Sequence, residues 1–177
     1  MQFSEPKGNV LQMGLREGMK VAELGAGSGH YALAAAHAVG ASGRVYAVEI
    51  QEEIVRHLAD AAKRQHLRNV EAVWGNIERA GGTKLRDQSV DCAILANVLF
   101  QLEHKAAAIA ETKRILKPEG KLLVIDWAGS YGGMGPVPDH VVTERVAEEL
   151  VIGAGFHKVK GFRAGAHHYG IVFTKPA

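Results

Sequence analysis

The chain has 177 residues, 47% hydrophobic and 23% charged, with a formal net charge of +2 and one cysteine. That is the size and balance of a single globular domain over residues 1–177, with a substantial core and no room for a second. Lys and Arg are interspersed with acids rather than gathered on one face, which argues against nucleic acid as a partner, and the lone cysteine excludes an internal disulfide. In chain order, the first strong pattern is "VAELGAGSGHYALAAA", residues 21–36. Val21 to Leu24 reads as a short buried strand and Tyr31 to Ala38 as a buried helix, so Gly25, Gly27 and Gly29 sit at the turn between them. Such a turn takes unusual backbone angles, leaves no Cβ in a ligand's way and points free amides at it. A merely tight turn usually needs one glycine.

"GRVYAVEI", residues 43–50, is a second strand, and it ends in Glu49. A carboxylate there can accept hydrogen bonds from ribose hydroxyls, and it also suits the dipole of a following helix. That helix is amphipathic, with Ile54, Val55, Leu58, Ala61 and Ala62 at helical spacing between Gln51 and His66. "NVEAVWGNIER", residues 69–79, gives a third strand followed by Gly75, Asn76 and Ile77. "SVDCAILANVLFQLEH", residues 89–104, gives a fourth, buried on both faces, with Cys92 as a small apolar filler and Asn97 at its end. A helix from about Lys105 to Leu116 leads into "LKPEGKLLVIDW", where Pro118 and Gly120 end the helix and a fifth strand follows. A Gly/Pro-rich loop (128–139), a helix from Val141 to Gly153 and two strands, "FHKVKGF" and "YGIVFTK", complete the chain.

The third glycine arrives one residue too early for the dinucleotide pattern G-x-G-x-x-G, where His30 stands instead, so a nicotinamide-dependent oxidoreductase is disfavoured. "ELGAGSG", Glu23 to Gly29, resembles motif I of the class I S-adenosylmethionine-dependent methyltransferases. The strands ending at Asn97 and Trp127 resemble later segments of the same family, and the likeness runs from about residue 18 to near the end. It implies an α/β, doubly wound, Rossmann-like methyltransferase fold with a mostly parallel seven-stranded sheet and a carboxyl-terminal antiparallel strand pair. It also implies S-adenosylmethionine as cofactor. Glu23, Gly25, Ala26, Gly27 and Gly29 would then underlie its methionine portion with Tyr31 nearby, Glu49 would meet the ribose, Asn76 and Ile77 the adenine, Asn97 the reactive methyl group, and Ile50 would belong to the same cofactor site.

Two departures matter. The family commonly has an acid at the place of Asn76, although an amide oxygen can still accept a hydrogen bond from the adenine amine. "NVLF" after the fourth strand lacks the two prolines typical of family members acting on exocyclic nucleic-acid amines or glutamine amides, which leaves a small molecule as the expected acceptor, by in-line methyl transfer. RNA or protein methylation, and a catalytically silent cofactor-binding protein, are the alternatives. A general base is needed only if the acceptor arrives protonated, so His104, His140, His167 and His168 are candidates by type alone and no catalytic residue is assigned. The loop 128–139, with Tyr131, Met134 and Val137, is expected to be a lid over the acceptor, the alternative being a plain connection. No Cys/His cluster has metal-ligand spacing, no apolar run approaches the roughly 20 residues of a membrane helix, and "MQFSEPKGNV" has no signal-peptide pattern. The chain is therefore expected in the cytoplasm, without metal or membrane.

Overall fold

Short apolar strands separated by helices return the chain to the same end of a sheet each time, so they pair in parallel. The computed structural model describes residues 5–177 and shows this arrangement. Its strands are β1 (Lys20–Leu24), β2 (Arg44–Glu49), β3 (Val70–Trp74), β4 (Val90–Ala96), β5 (Leu116–Trp127), β6 (His157–Arg163) and β7 (His168–Thr174). They form one sheet in the order β3-β2-β1-β4-β5-β7-β6, parallel except for β7, which runs antiparallel to both β5 and β6. The fold expected from the sequence is thus the fold observed. The segment read as lacking a signal peptide lies partly outside the described residues, and no helix among those described is long and apolar enough to cross a membrane.

The strand order positions the site. From β1 the chain steps outward to β2 and β3, then crosses back to β4 on the other side of β1, so the connections leaving the carboxyl ends of β1 and β4 diverge. A crevice opens between them, the usual ligand position in open α/β sheets. One sheet face carries Ala22, Leu24, Leu95 and Val124 against α4 (Lys105–Ile115) and α5 (Glu144–Gly153). The other carries Val21, Cys92, Ile94 and Ile125 against α1 (Pro6–Leu11), α2 (His30–Val39) and α3 (Glu52–Arg64). Both sides of β4 are buried, as its unbroken apolar run requires, and burial pushes the Cys92 thiol up to about 11.

Several elements differ in detail from their sequence signals. The helix read from Val141 starts at Glu144 because Thr143 caps it, its hydroxyl accepting from the Val146 amide. Pro118 and Gly120 do not separate α4 from β5: Leu116 already pairs with Val90, and a register shift in the pairing leads on to Lys121 opposite Cys92. The connection 75–89 carries no helix, and α1 has no periodic signature in the sequence.

Candidate functional site

A cleft of about 640 Å³ opens at the switch point, lined by residues from the carboxyl ends of β1, β2, β3 and β4 and by Pro6. Its floor is the glycine turn, and the three glycines serve three needs. All have positive φ, which disfavours any side chain. A Cβ on Gly25 would press within 2.5 Å of Val98, and one on Gly29, the residue preceding α2, within 2.9 Å of Leu58. Gly27 alone would meet nothing within 4 Å. The cradle is therefore open at Gly27, and the other two glycines seat the turn on the core.

Two acids stand behind that floor. Glu23 is buried at the end of β1, and its carboxylate accepts from the Ala32 amide of α2 at 2.7 Å. Burial pushes its pKa up to about 8 against that hydrogen bond, with the neighbouring Glu49 charge adding to the rise. Glu49 accepts from the amides of Gly27 (3.0 Å), Ile50 (2.8 Å) and Gln51 (3.1 Å). Three of a carboxylate's roughly four acceptor positions are thus taken by backbone, so Glu49 ties the glycine turn to the start of α3 and keeps about one position for a ligand. The structure thus shows the helix-start role of Glu49.

The remaining expected residues meet in the same cleft. Asn97 has a left-handed backbone (φ 55), and its buried Oδ1 has no hydrogen-bond partner among the described residues. A buried acceptor left unsatisfied costs stability, and a ligand donor at this point would remove that cost. Ile50 lines the mouth with 54% of its surface exposed, whereas Ile77, which also lines the cleft, is buried against the core. Asn76 lines the wall too, but its Oδ1 accepts from the Glu78 amide at 2.9 Å, so one of the oxygen's two lone pairs is occupied by the local turn. Tyr31 is buried, lines the cleft and accepts a hydrogen bond from Asn9 of α1 at 3.1 Å.

The matching family model describes a methyltransferase domain and covers residues 15–158. The chain belongs to that family. This methyltransferase domain is 32% identical over 119 residues to a ubiquinone/menaquinone biosynthesis C-methyltransferase, UbiE, of Pasteurella multocida; the match takes in 65% of this chain and 42% of that one. The chain spans less than half the length of such curated relatives. Among solved structures, an S-adenosylmethionine-dependent methyltransferase from Aquifex aeolicus superposes with a TM-score of 0.88 at 28% identity, covering 97% of this chain and 90% of that one. The [4+2]-cyclase SpnF, at 18% identity, TM-score 0.80 and coverage of 97% and 80%, shares the fold.

Within this methyltransferase domain the structure also brings forward residues that sequence patterns did not single out. Pro6, Ser28, His30, Gln51, Gln101 and Leu102 line the cleft, as does Glu78. Most follow directly from a recognised element end, but Pro6 belongs to α1 and has no local signal. None of His104, His140, His167 and His168 lines the cleft. His168 packs on Trp127 with ring centroids 4.3 Å apart, and His167 on Tyr131 at 4.1 Å. His30, the first residue of α2, is the only cleft-lining histidine among the described residues.

Proposed function

We propose that the chain binds S-adenosylmethionine in this cleft and catalyses in-line methyl transfer to a small-molecule acceptor, as one methyltransferase domain over residues 1–177 working in the cytoplasm. The observation that carries the reading is the floor of the switch-point cleft, where Gly27 leaves room that no protein atom fills and the buried Asn97 Oδ1 awaits a donor. The residues present fit the cofactor. The glycine turn and Glu23 accommodate its methionine end, which bears the sulfonium charge, Glu49 offers an acceptor to the ribose, and exposed Ile50 with Asn76 receives the base. When bound, S-adenosylmethionine supplies a methyl group already activated on a sulfonium. The protein's own part is to hold the acceptor in line and exclude water, so a base is required only for an acceptor that arrives protonated.

The small-molecule acceptor is supported by "NVLF" after β4 and by the absence of a concentrated basic face in the sequence. The curated relatives are named for quinone biosynthesis, which makes quinols the first acceptors to try. The test combines calorimetric titration of S-adenosylmethionine, S-adenosylhomocysteine and NAD with transfer of a labelled methyl group to a panel of quinols, phenols and amines. Binding of the first two without NAD, and transfer to a panel member, is the expected result. Binding with no transfer to any fraction of a metabolite extract points to a silent binding protein, and NAD binding alone would falsify the cofactor assignment.

A further inference from the structure

The connection 75–89 crosses from the sheet edge to its centre without a helix, so its backbone groups lack the internal partners a helix supplies. An ion pair on α4 provides them, with Glu111 buried and Arg114 partly exposed. Glu111, 2% exposed, accepts from the Gly81 amide at 2.9 Å, the Thr83 amide at 3.1 Å and the Thr83 hydroxyl at 2.6 Å. Arg114 grips the same carboxylate through Nε and Nη2, both at 2.7 Å, donates through Nη2 to the Leu85 carbonyl at 2.9 Å, and pairs with Asp87 through Nη1. Burial alone would raise the Glu111 pKa, but the donors from Arg114, Thr83 and Gly81 bring it down to about 2, so the pair stays charged at any working pH.

The pair reaches the cleft in two steps. Gly82, held between Gly81 and Thr83, accepts through its carbonyl from the Asn76 amide at 3.0 Å. The two segments touch so closely that a Cβ on Gly82 would lie 1.9 Å from the Asn76 carbonyl oxygen, and one on Gly75 would lie 2.4 Å from that of Gly82. Gly75, Asn76, Ile77 and Glu78 line the cleft. We infer that Glu111 and Arg114 are positioning residues: from the far side of the loop they fix the wall of the cleft at 75–78 and thereby set ligand affinity. A wall made of irregular backbone has no stiffness of its own, and pre-organisation of this kind reduces the ordering cost of binding.

The affinity arm of the test rests on the S-adenosylmethionine reading; the exchange arm does not. Glu111→Gln keeps the shape but turns one acceptor into a donor facing donors. Thr83→Val, which exchanges the hydroxyl for a methyl group, stands in if that variant does not fold. Well below the melting temperature, S-adenosylhomocysteine is expected to bind Glu111→Gln about tenfold more weakly than the parent, and Thr83→Val a few-fold more weakly. Amide exchange in the free protein is expected to quicken at 75–88 and remain unchanged in β5 and β7. A purely structural pair would lower the melting temperature and leave the folded molecule's affinity intact. Parent-like affinity in a folded variant therefore overturns the inference. Should the parent itself not bind S-adenosylhomocysteine, the proposed function falls, and exchange decides this inference alone: quickening confined to 75–88 supports it, and unchanged exchange at 75–78 overturns it.

Discussion

At Gly27 an added methyl group would meet open space, while at Gly25 and Gly29 it would press on Val98 and Leu58. Gly25→Ala and Gly29→Ala should therefore lose about 1–3 kcal/mol from overpacking on top of the left-handed backbone penalty. Gly27→Ala should lose only that penalty, about 1–2 kcal/mol, and yet suffer the largest drop in S-adenosylhomocysteine affinity. Denaturant melts and titrations of all three variants check this contrast; a Gly27→Ala protein that binds like the parent makes the whole turn structural. Glu49→Gln should weaken binding about tenfold or more, but part of that loss belongs to the turn, because the substituted amide would face the Gly27 or the Ile50 and Gln51 amides. Glu23 gives a pH signature in the free protein. Its folded pKa, about 8, lies above the ordinary 4.5, so its contribution favours the fold below 4.5 and is lost as pH rises toward 8. Buried Asp126, raised by burial to about 6, acts in the same direction from 3.8 to 6. Relative to Glu23→Gln, the parent should lose at most about 1.4 kcal/mol per pH unit between those limits. Parallel stability profiles for parent and variant would show that Glu23 is ionised in the free cleft.

Elements whose signal is local were legible in the sequence, and those fixed by distant partners were not. Strands β1, β2 and β4 announce themselves as apolar runs, and α3 as a periodic stripe with acids in its first turn and bases in its last. By contrast, six-residue α1 is held by tertiary contacts such as Asn9 to Tyr31 and to the Ala164 carbonyl, 155 positions away. The helix-free connection 75–89 depends on Glu111 and Arg114, which look like an ordinary surface i,i+3 pair on α4. The loop 128–139 lies between these cases. Its glycines predicted irregular backbone, and the structure shows a tight reversal in which Tyr131 and Met134 pair across Gly132 and Gly133, both at positive φ. Tyr131 stacks on His167, Gly135 abuts Trp127, and Met134 and Val137 stay exposed at the carboxyl end of the sheet. Tyr131→Ala and Met134→Ala are expected to keep S-adenosylhomocysteine affinity and to reduce turnover with whichever acceptor is found, and exchange in the loop should slow only when cofactor and acceptor are both present. Unchanged exchange with unchanged turnover would make the loop a connection and shift acceptor selection toward α1.

For the whole molecule, the switch point means that the cleft is lined by four strand ends at once, so a ligand filling it would meet Gly25 and Gly27 after β1, Glu49 of β2, Gly75 to Ile77 after β3 and Asn97 after β4. The sequence patterns named these residues because each stands at a strand end. They could not supply the state of the groups, which depends on neighbours folded in from elsewhere: the Asn76 oxygen shared with Glu78, three backbone amides on Glu49, and Glu23 sealed under α2. Binding at such a junction should stabilise the fold as a unit. At about a hundred times its dissociation constant each of S-adenosylmethionine and S-adenosylhomocysteine should add roughly 2.7 kcal/mol, and NAD nothing. The two ligands should then part company with pH. They differ by the sulfonium charge, and Glu23 in the free protein gains its own charge only near pH 8, where burial and Glu49 oppose it. A cation entering the cleft stabilises that carboxylate, so binding releases a proton below pH 8, and the preference for S-adenosylmethionine over S-adenosylhomocysteine should rise from pH 6 to 8 and level off above it. Calorimetry in two buffers of different ionisation heat measures the proton, and the affinity ratio across pH measures the preference. A ratio independent of pH in the parent, or a pH-dependent ratio that persists in Glu23→Gln, would mean that Glu23 does not sense the sulfonium and acts only as the acceptor that holds α2 at the Ala32 amide.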